Sequence, residues 1–260
     1  MTVMIGTCGW QYRDWRGLFY PADLRQADWL DHYSRRFETV EVDNTFYRLP
    51  AAETFAAWAE RTPPRFCMAL KTSRYLTHVR RLRDPAEPVQ RFMDRARRLG
   101  DKLGPLLIQL PATFQADPPL LADALDCFPA GVRLAFEPRH ASWFTDATQT
   151  VLSDRHVALC LTDSRGKPTG PQWRTADWTY LRFHEGTGSP HPCYVERPLA
   201  EWADRLAQTW GRRCHAYVYF NNDTHGCAVR DASRFARMAR DAGLAISQVP
   251  DESEAPVSSP

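Results

Sequence analysis

Along the chain, short aliphatic runs alternate with stretches whose apolar residues stand three and four apart. Val3-Met-Ile-Gly-Thr-Cys8 is the first run and reads as a strand, and Leu30, Tyr33 and Phe37 mark the helix after it. The second strand starts at Phe37, with Val40 and Val42 on one face and Thr39, Glu41 and Asp43 on the other. A helix near Ala51 to Arg61 places Phe55, Trp58 and Ala59 on one side, between Pro50 and Pro63. Arg65 to Lys71 is the third strand, and Val89, Phe92, Met93, Ala96 and Leu103 trace a helix stopped by Gly104-Pro105. Leu106 to Leu110 is the fourth strand, Leu120 to Phe128 a short helix, and Val132 to Pro138 the fifth strand, with a helix after Asp146. The sixth strand, Val157 to Asp163, has no helical pattern before the seventh, Trp178 to His184. Leu199, Trp202, Leu206 and Trp210 form the next helix, His215 to Phe220 the eighth strand, and Val229 to Arg240 the last helix. Strands alternating with helices imply right-handed crossovers and a parallel sheet. Eight such units in 260 residues predict an α/β fold, a single (β/α)8 TIM barrel whose functional face lies at the C-terminal ends of the strands. The barrel domain is expected over residues 1–247. Residues 248–260, acidic and rich in Pro and Ser, read as a disordered tail.

A parallel strand covered on both faces should be continuously aliphatic. Here one parity turns polar near the C-terminal ends, with Glu41, Lys71, Gln109, Glu137, Asp163, Arg182, His184 and Asn221. A carboxylate in such a place is costly to desolvate unless a cation, a metal or a substrate opposes it. The bland account is a buried salt-bridge layer in which Glu41, Lys71, Glu137 and Arg182 satisfy one another. The functional account makes Glu41, Lys71, Glu137 and Asp163 the catalytic candidates. Glu41 and Glu137 would act as acid and base, their pKa values separated by Lys71, Arg139 and Arg182. For substrate binding, Arg48, Arg74, Arg139 and Arg182 fall at or just past strand ends, where a guanidinium fork suits carboxylate or phosphate oxygens. Trp10 and Tyr47 offer ring faces, and Asn44, Gln109, Asn221 and Asn222 offer amides for orientation. Gly186-Thr-Gly188 reads as a plain turn. A divalent metal (Mg, Mn or Zn) is open as a cofactor, with Glu41, Glu137, His140, His184 and Asp223 as its candidate ligands.

The net charge of +2 gives no whole-protein field, so an anion preference must be local. The partner expected is a small anionic or polyhydroxyl molecule. Nucleotide or single-stranded nucleic-acid binding through the Arg and aromatic loops is the alternative, disfavoured by the near-neutral charge. Seven cysteines without a Cys-x-x-Cys argue against a disulfide framework, and with no signal-peptide pattern or long apolar run the expectation is a cytoplasmic protein free of the membrane. His191-x-Cys193 and His225-x-Cys227 lack a zinc-finger spacing and read as separate surface residues. Oligomeric state has no signal.

Several stretches together resemble the DUF72 (YecE-like) family. They are Gly6-Thr-Cys-Gly-Trp10, Trp15 to Pro21, Glu41-Val-Asp-Asn-Thr-Phe-Tyr-Arg-Leu-Pro50, Lys71 to His78, Gln109-Leu-Pro111, Phe136 to Trp143 and Tyr219-Phe-Asn-Asn-Asp223. The resemblance implies a TIM barrel that family naming relates to sugar isomerases. The polar parity together with this fold makes an enzyme of small polyhydroxyl or phosphorylated substrates the expectation, with isomerisation or hydrolysis as its class. The chain departs from the family pattern at Cys8, where Ser is usual, at Pro138, where an aromatic is common, and at Ala141, where Pro is common.

Overall fold

The computed structural model describes residues 2–211 and 215–257. Eight strands, β1 Val3–Thr7, β2 Thr39–Val42, β3 Cys67–Lys71, β4 Leu103–Gln109, β5 Leu134–Glu137, β6 Ala158–Ser164, β7 Thr179–Phe183 and β8 Ala216–Phe220, form one sheet. Their order is β1-β8-β7-β6-β5-β4-β3-β2, every neighbouring pair parallel. Around the sheet run α1 Trp29–Ser34, the single turn α2 Asn44–Tyr47, α3 Ala52–Arg61, α4 Ala86–Ala96, α5 Pro118–Asp126, α6 Asp146–Asp154, α7 Glu196–Trp210 and α8 Cys227–Asp241. Local chemistry sets several starts. Asp117 accepts from the Leu120 amide and Pro118 begins α5, while Thr145 accepts from the Thr148 amide ahead of α6.

No ladder joins β1 to β2 among the described residues, so the barrel closes there by other means. The Tyr33 hydroxyl accepts from the Thr7 amide at 3.0 Å and donates to the Thr39 carbonyl at 3.1 Å, stitching the two strands. Gly6 lets them approach, since a Cβ there would overlap the Thr39 carbonyl. Strand parity then divides the core. Val40, Leu70, Ile108, Phe136, Leu161, Phe183 and Val218 pack outward under the helices, while Cys8, Ala69, Leu107, Ala135, Cys160, Tyr180, Tyr217 and Tyr219 fill the barrel. Each large side chain so buried stabilises the fold by about 1.5–3 kcal/mol.

Between β6 and β7 a two-residue strand, Lys167–Pro168, folds back antiparallel on β6 in place of a helix. The loop beyond it is tied down where the Thr175 hydroxyl accepts from the Leu159 amide at 2.9 Å and donates to the Val157 carbonyl at 2.7 Å.

Two expectations change. Cys193 and Cys227 are joined in a disulfide, 3% and 0% exposed, that fastens the loop entering α7 to the start of α8. The chain brings the pair together across 34 residues, so their sequence neighbours carry no sign of it. The segment expected to be disordered from Gln248 instead lies on the barrel as far as the described residues reach. The Gln248 amide donates to Glu38 at 3.0 Å, Arg237 pairs with Glu252 at 3.0 Å, and Ala255 is 1% exposed. Glu252 pairs with Arg234 and Arg237 of α8, and Glu254 lies 3.9 Å from Arg36; residues 258–260 lie outside the described residues. No helix is long and apolar enough to cross a membrane among the described residues.

Candidate active site

The inward parity of β2, β5 and β7 carries Glu41, Glu137 and Arg182 to one level at the C-terminal end of the barrel, all 1% exposed or less. Arg182 spans the two carboxylates. Its Nη1 donates to Glu137 Oε2 at 2.9 Å, and Nη2 donates to Glu41 Oε1 at 2.6 Å. Nη2 also lies 3.5 Å from Asp43 Oδ2 and 3.6 Å from Cys8 Sγ. The second oxygen of Glu41 accepts from the Tyr180 hydroxyl. Glu137 Oε1 faces the mouth, where it accepts from Gln109 at 2.9 Å and pairs with Arg139 Nη2 at 2.7 Å and His184 Nε2 at 3.4 Å. Asn221 Nδ2 lies 3.3 Å from His184 Nδ1, and Arg139 Nη2 lies 3.2 Å from His184 Nε2, so the imidazole is held between the two beside Glu137. Lys71 Nζ sits 3.6 Å from Asp43 Oδ1 and 4.5 Å from the centre of the Phe46 ring.

The two carboxylates are driven in opposite directions. Burial raises the Glu41 carboxyl above its usual range, and Arg182 only partly offsets it. Burial also acts on Glu137, but there Arg182, His184 and Arg139 together overcome it and hold the carboxyl well below the usual range. Burial lowers His184, so its imidazole is neutral at pH 7. Burial pushes Asp223 well up, favouring its protonated form.

Cys8, Glu41 and Asp43 present ligand atoms within 4.8 Å of one another, the one group of metal-ligating type among the described residues. Arg182 Nη2 already contacts all three, so a guanidinium stands where a cation would. The five expected ligands do not gather into one site. Glu41 and Glu137 bond different nitrogens of Arg182, and His140 Nδ1 bonds Ser142 at 2.8 Å. Asp223 Oδ1 has no hydrogen-bond partner, and its backbone carbonyl accepts from Trp15 Nε1 at 2.7 Å.

Two other site assignments need correction. Asp163 has the outward parity of β6, where its carboxylate accepts from Trp202 Nε1 of α7 at 2.8 Å and from the Gly166 amide at 2.9 Å. It anchors a helix and a turn. Asn222 also points outward, donating to Asp231 at 2.8 Å and to the Pro192 carbonyl at 3.2 Å. The amides of Gly186 and Gly188 are bonded within their own loop, to the Pro192 and Cys193 carbonyls, as a plain turn requires. Trp10 lies at the mouth but is 3% exposed and packs edge-on against Trp58 at 5.5 Å. Asn44 donates to Gln11 at 3.1 Å on the rim; Tyr47, Arg48 and Arg74 are exposed there too, on the β2–β3 side. Sequence reasoning passed over Asp43 and Tyr180, which share the parity of Glu41 and Arg182 two positions away; that parity was the available signal.

A hollow of about 700 Å³, lined by Asn44, Tyr47, Arg48, Leu49 and Arg95, opens on the rim at this end, beside two smaller ones. One, about 140 Å³, is lined by Cys8, Trp10, Tyr12 and Asp43; the other, about 360 Å³, by Arg139, Phe144, Thr169 and His184. A more apolar hollow of about 450 Å³ lies at the other end, beside Arg35, Glu38 and Phe66 before β3, away from these ionised groups.

A family model described as "Protein of unknown function DUF72" matches residues 4–255. The chain belongs to the DUF72 family. This DUF72 protein is 31% identical over 169 residues to the UPF0759 protein YecE of Escherichia coli strain K12, a match covering 63% of the chain and 60% of YecE. It is 23% identical over 268 residues to the UPF0759 protein YunF of Bacillus subtilis strain 168, covering 91% of the chain and 94% of YunF. Among solved structures, a DUF72 family protein from Thermotoga maritima MSB8 superposes with a TM-score of 0.80 at 28% identity, covering 92% of this chain and all of that one. A DUF72 family protein from Enterococcus faecalis V583 superposes with a TM-score of 0.76 at 18% identity, covering 92% and 96%, and supports the fold alone.

Proposed function

We propose that this DUF72 protein is an enzyme of the isomerase or hydrolase class acting on a small polyhydroxyl or phosphorylated molecule, such as a sugar or sugar phosphate. One observation carries the reading: two buried carboxyls share Arg182 at the C-terminal end of the barrel, yet are driven to opposite protonation tendencies. A layer serving stability alone gains nothing from Glu137 facing the mouth with a neutral histidine beside it.

In this reading Glu137 is the base, weak while Arg182, His184 and Arg139 depress its carboxyl and strengthened when Arg139 moves away. Arg139, 42% exposed, covers its outer oxygen, and an anionic substrate group pairing with Arg139 draws the guanidinium outward and uncovers Oε1. His184, held by Asn221 and set against Glu137 Oε1, is a positioning residue that orients the base. Lys71 stabilises negative charge that develops on the substrate. Glu41 lies wholly beneath Arg182, so it acts as a positioning residue that fixes the guanidinium against Glu137.

The test is a thermal-shift screen of sugars and sugar phosphates, followed by turnover assays on the binders. Glu137→Gln is expected to lower kcat/KM by about 10²–10⁴-fold with the circular dichroism spectrum retained. Full activity in that variant overturns the assignment.

A further inference from the structure

Four large hydrophobic side chains are exposed among the described residues, and three of them fall on one side of the barrel mouth. Tyr47, at the end of α2, is 75% exposed; Tyr75 and Val79, at the two ends of the π-helical turn after β3, are 39% and 56% exposed. The contacts beneath make this one surface. Phe46 meets Tyr47 at 5.0 Å and His78 at 4.9 Å, joining α2 to the π-helical turn. Arg91 of α4 lies 5.5 Å from the Tyr75 ring centre, with Arg80 at 6.0 Å. Arg95, one turn further along α4, donates to the Leu49 and Pro50 carbonyls at 3.0 Å.

The same surface carries unneutralised positive charge. Arg80 and Arg91 have acidic partners, Asp84 and Glu87, whereas Arg48, Arg74 and Arg81 are exposed and form no ion pair among the described residues; Arg81 donates to Thr113 at 2.9 Å and lies 5.7 Å from the Phe114 ring centre, at the β4 edge of the rim. Solvent-facing tyrosine rings cost hydration free energy unless something covers them. Exposed rings set among arginines match a partner that alternates flat apolar faces with anions. Unstacked bases linked by phosphates have that composition. An acidic peptide supplies the anions but no regular series of flat faces between them, and a duplex hides its base faces.

From this we infer that the rim formed by Tyr47, Arg48, Arg74, Tyr75, Val79 and Arg81 binds single-stranded nucleic acid, bases on the tyrosines and phosphates on the arginines. The rim lies outside the Glu41–Arg182–Glu137 layer, so it stands or falls apart from the chemistry proposed for the mouth.

The experiment is fluorescence anisotropy of the full chain with short fluorescein-labelled single-stranded DNA and RNA, against duplex of the same sequence, across a salt series. Binding is expected to favour single strands. Tyr47→Ala should weaken it by about tenfold, as loss of one stacked base would. Arg48→Ala and Arg74→Ala should each reduce the slope of log affinity against log salt by about 0.7. Arg197→Ala, with a side chain 88% exposed on α7, serves as a control and should leave binding unchanged. Thermal midpoints equal to wild type show that the variants fold, as expected for surface side chains. The inference is overturned if no binding occurs at low salt, if duplex binds as well as single strands, or if the three rim variants bind like wild type. Turnover by wild type and Glu137→Gln is measured separately, so failure here leaves the mouth reading untouched, and the reverse.

Discussion

Arg182 is the residue on which the mouth depends. A guanidinium 1% exposed is tolerable only because two carboxylates meet it, and the carboxylates are tolerable only because of it. Arg182→Leu should therefore lose about 3–5 kcal/mol in urea unfolding, since it leaves Glu41 and Glu137 buried without a counter-charge. A loss under about 1 kcal/mol would show that the pairing is incidental. The pH dependence follows from the two carboxyls, with opposite signs. The folded-state pKa of Glu137 is depressed, so its contribution is present above the ordinary carboxylate range and is lost as pH falls through the folded value. The folded-state pKa of Glu41 is raised, so its contribution is present below that range and is lost as pH rises through the folded value. Urea melts over a pH series should show the stability deficit of Glu137→Gln shrinking toward acid and that of Glu41→Gln shrinking toward neutral. The same trend in both variants would contradict the opposed shifts. Strand parity made Glu41, Lys71, Glu137 and Arg182 readable in advance. Asp163 and Asn222 were misplaced because each sits one position from the inward set, and what separates them is the residue they meet, Trp202 and Asp231, on distant helices.

At the scale of elements, the loop from β7 to α7 matters most, because it leaves the strand that carries Arg182 and His184. Three ties hold its far end: the Cys193–Cys227 disulfide, the Tyr194 amide donating to Asp231 at 2.6 Å, and Asn222 donating to the Pro192 carbonyl. Closing a loop across 34 residues removes unfolded-state entropy worth about 4 kcal/mol at 25 °C. The double variant Cys193→Ser/Cys227→Ser should lower stability toward that amount, and dithiothreitol should lower the wild-type melting temperature but not the variant's. Equal melts with and without reductant would mean the bond contributes nothing. Elements with strong periodicity, such as α4, α7 and α8, were legible in the chain. Missing periodicity after β6 was equally informative, since a hairpin and a pinned loop take the place of that helix.

For the whole molecule, the barrel is a ring with one weak seam, β1 against β2, and the C-terminal segment braces the same side. The Val3 amide donates to the Ala245 carbonyl, the Ser247 amide to the Val3 carbonyl, and Gln248 bonds Glu38 and the Arg35 carbonyl just before β2. A chain ending at Ser247 should therefore melt at lower temperature than the full chain by differential scanning calorimetry. An unchanged midpoint would make residues 248–257 a passive tail.

The alternation of strands with helices determined the count of the eight main strands and their parallel direction. Hydrophobic alternation determined the inward parity of most of them, because a strand's two faces must meet different surroundings whatever lies far away. Only the tertiary structure decided which polar groups meet. It set Arg182 between two carboxylates, turned Asp163 to a tryptophan, joined two cysteines and laid an acidic tail on basic residues of α8. Those pairings join residues far apart in the chain, and a local sequence pattern does not encode the partner that makes burying a charge tolerable.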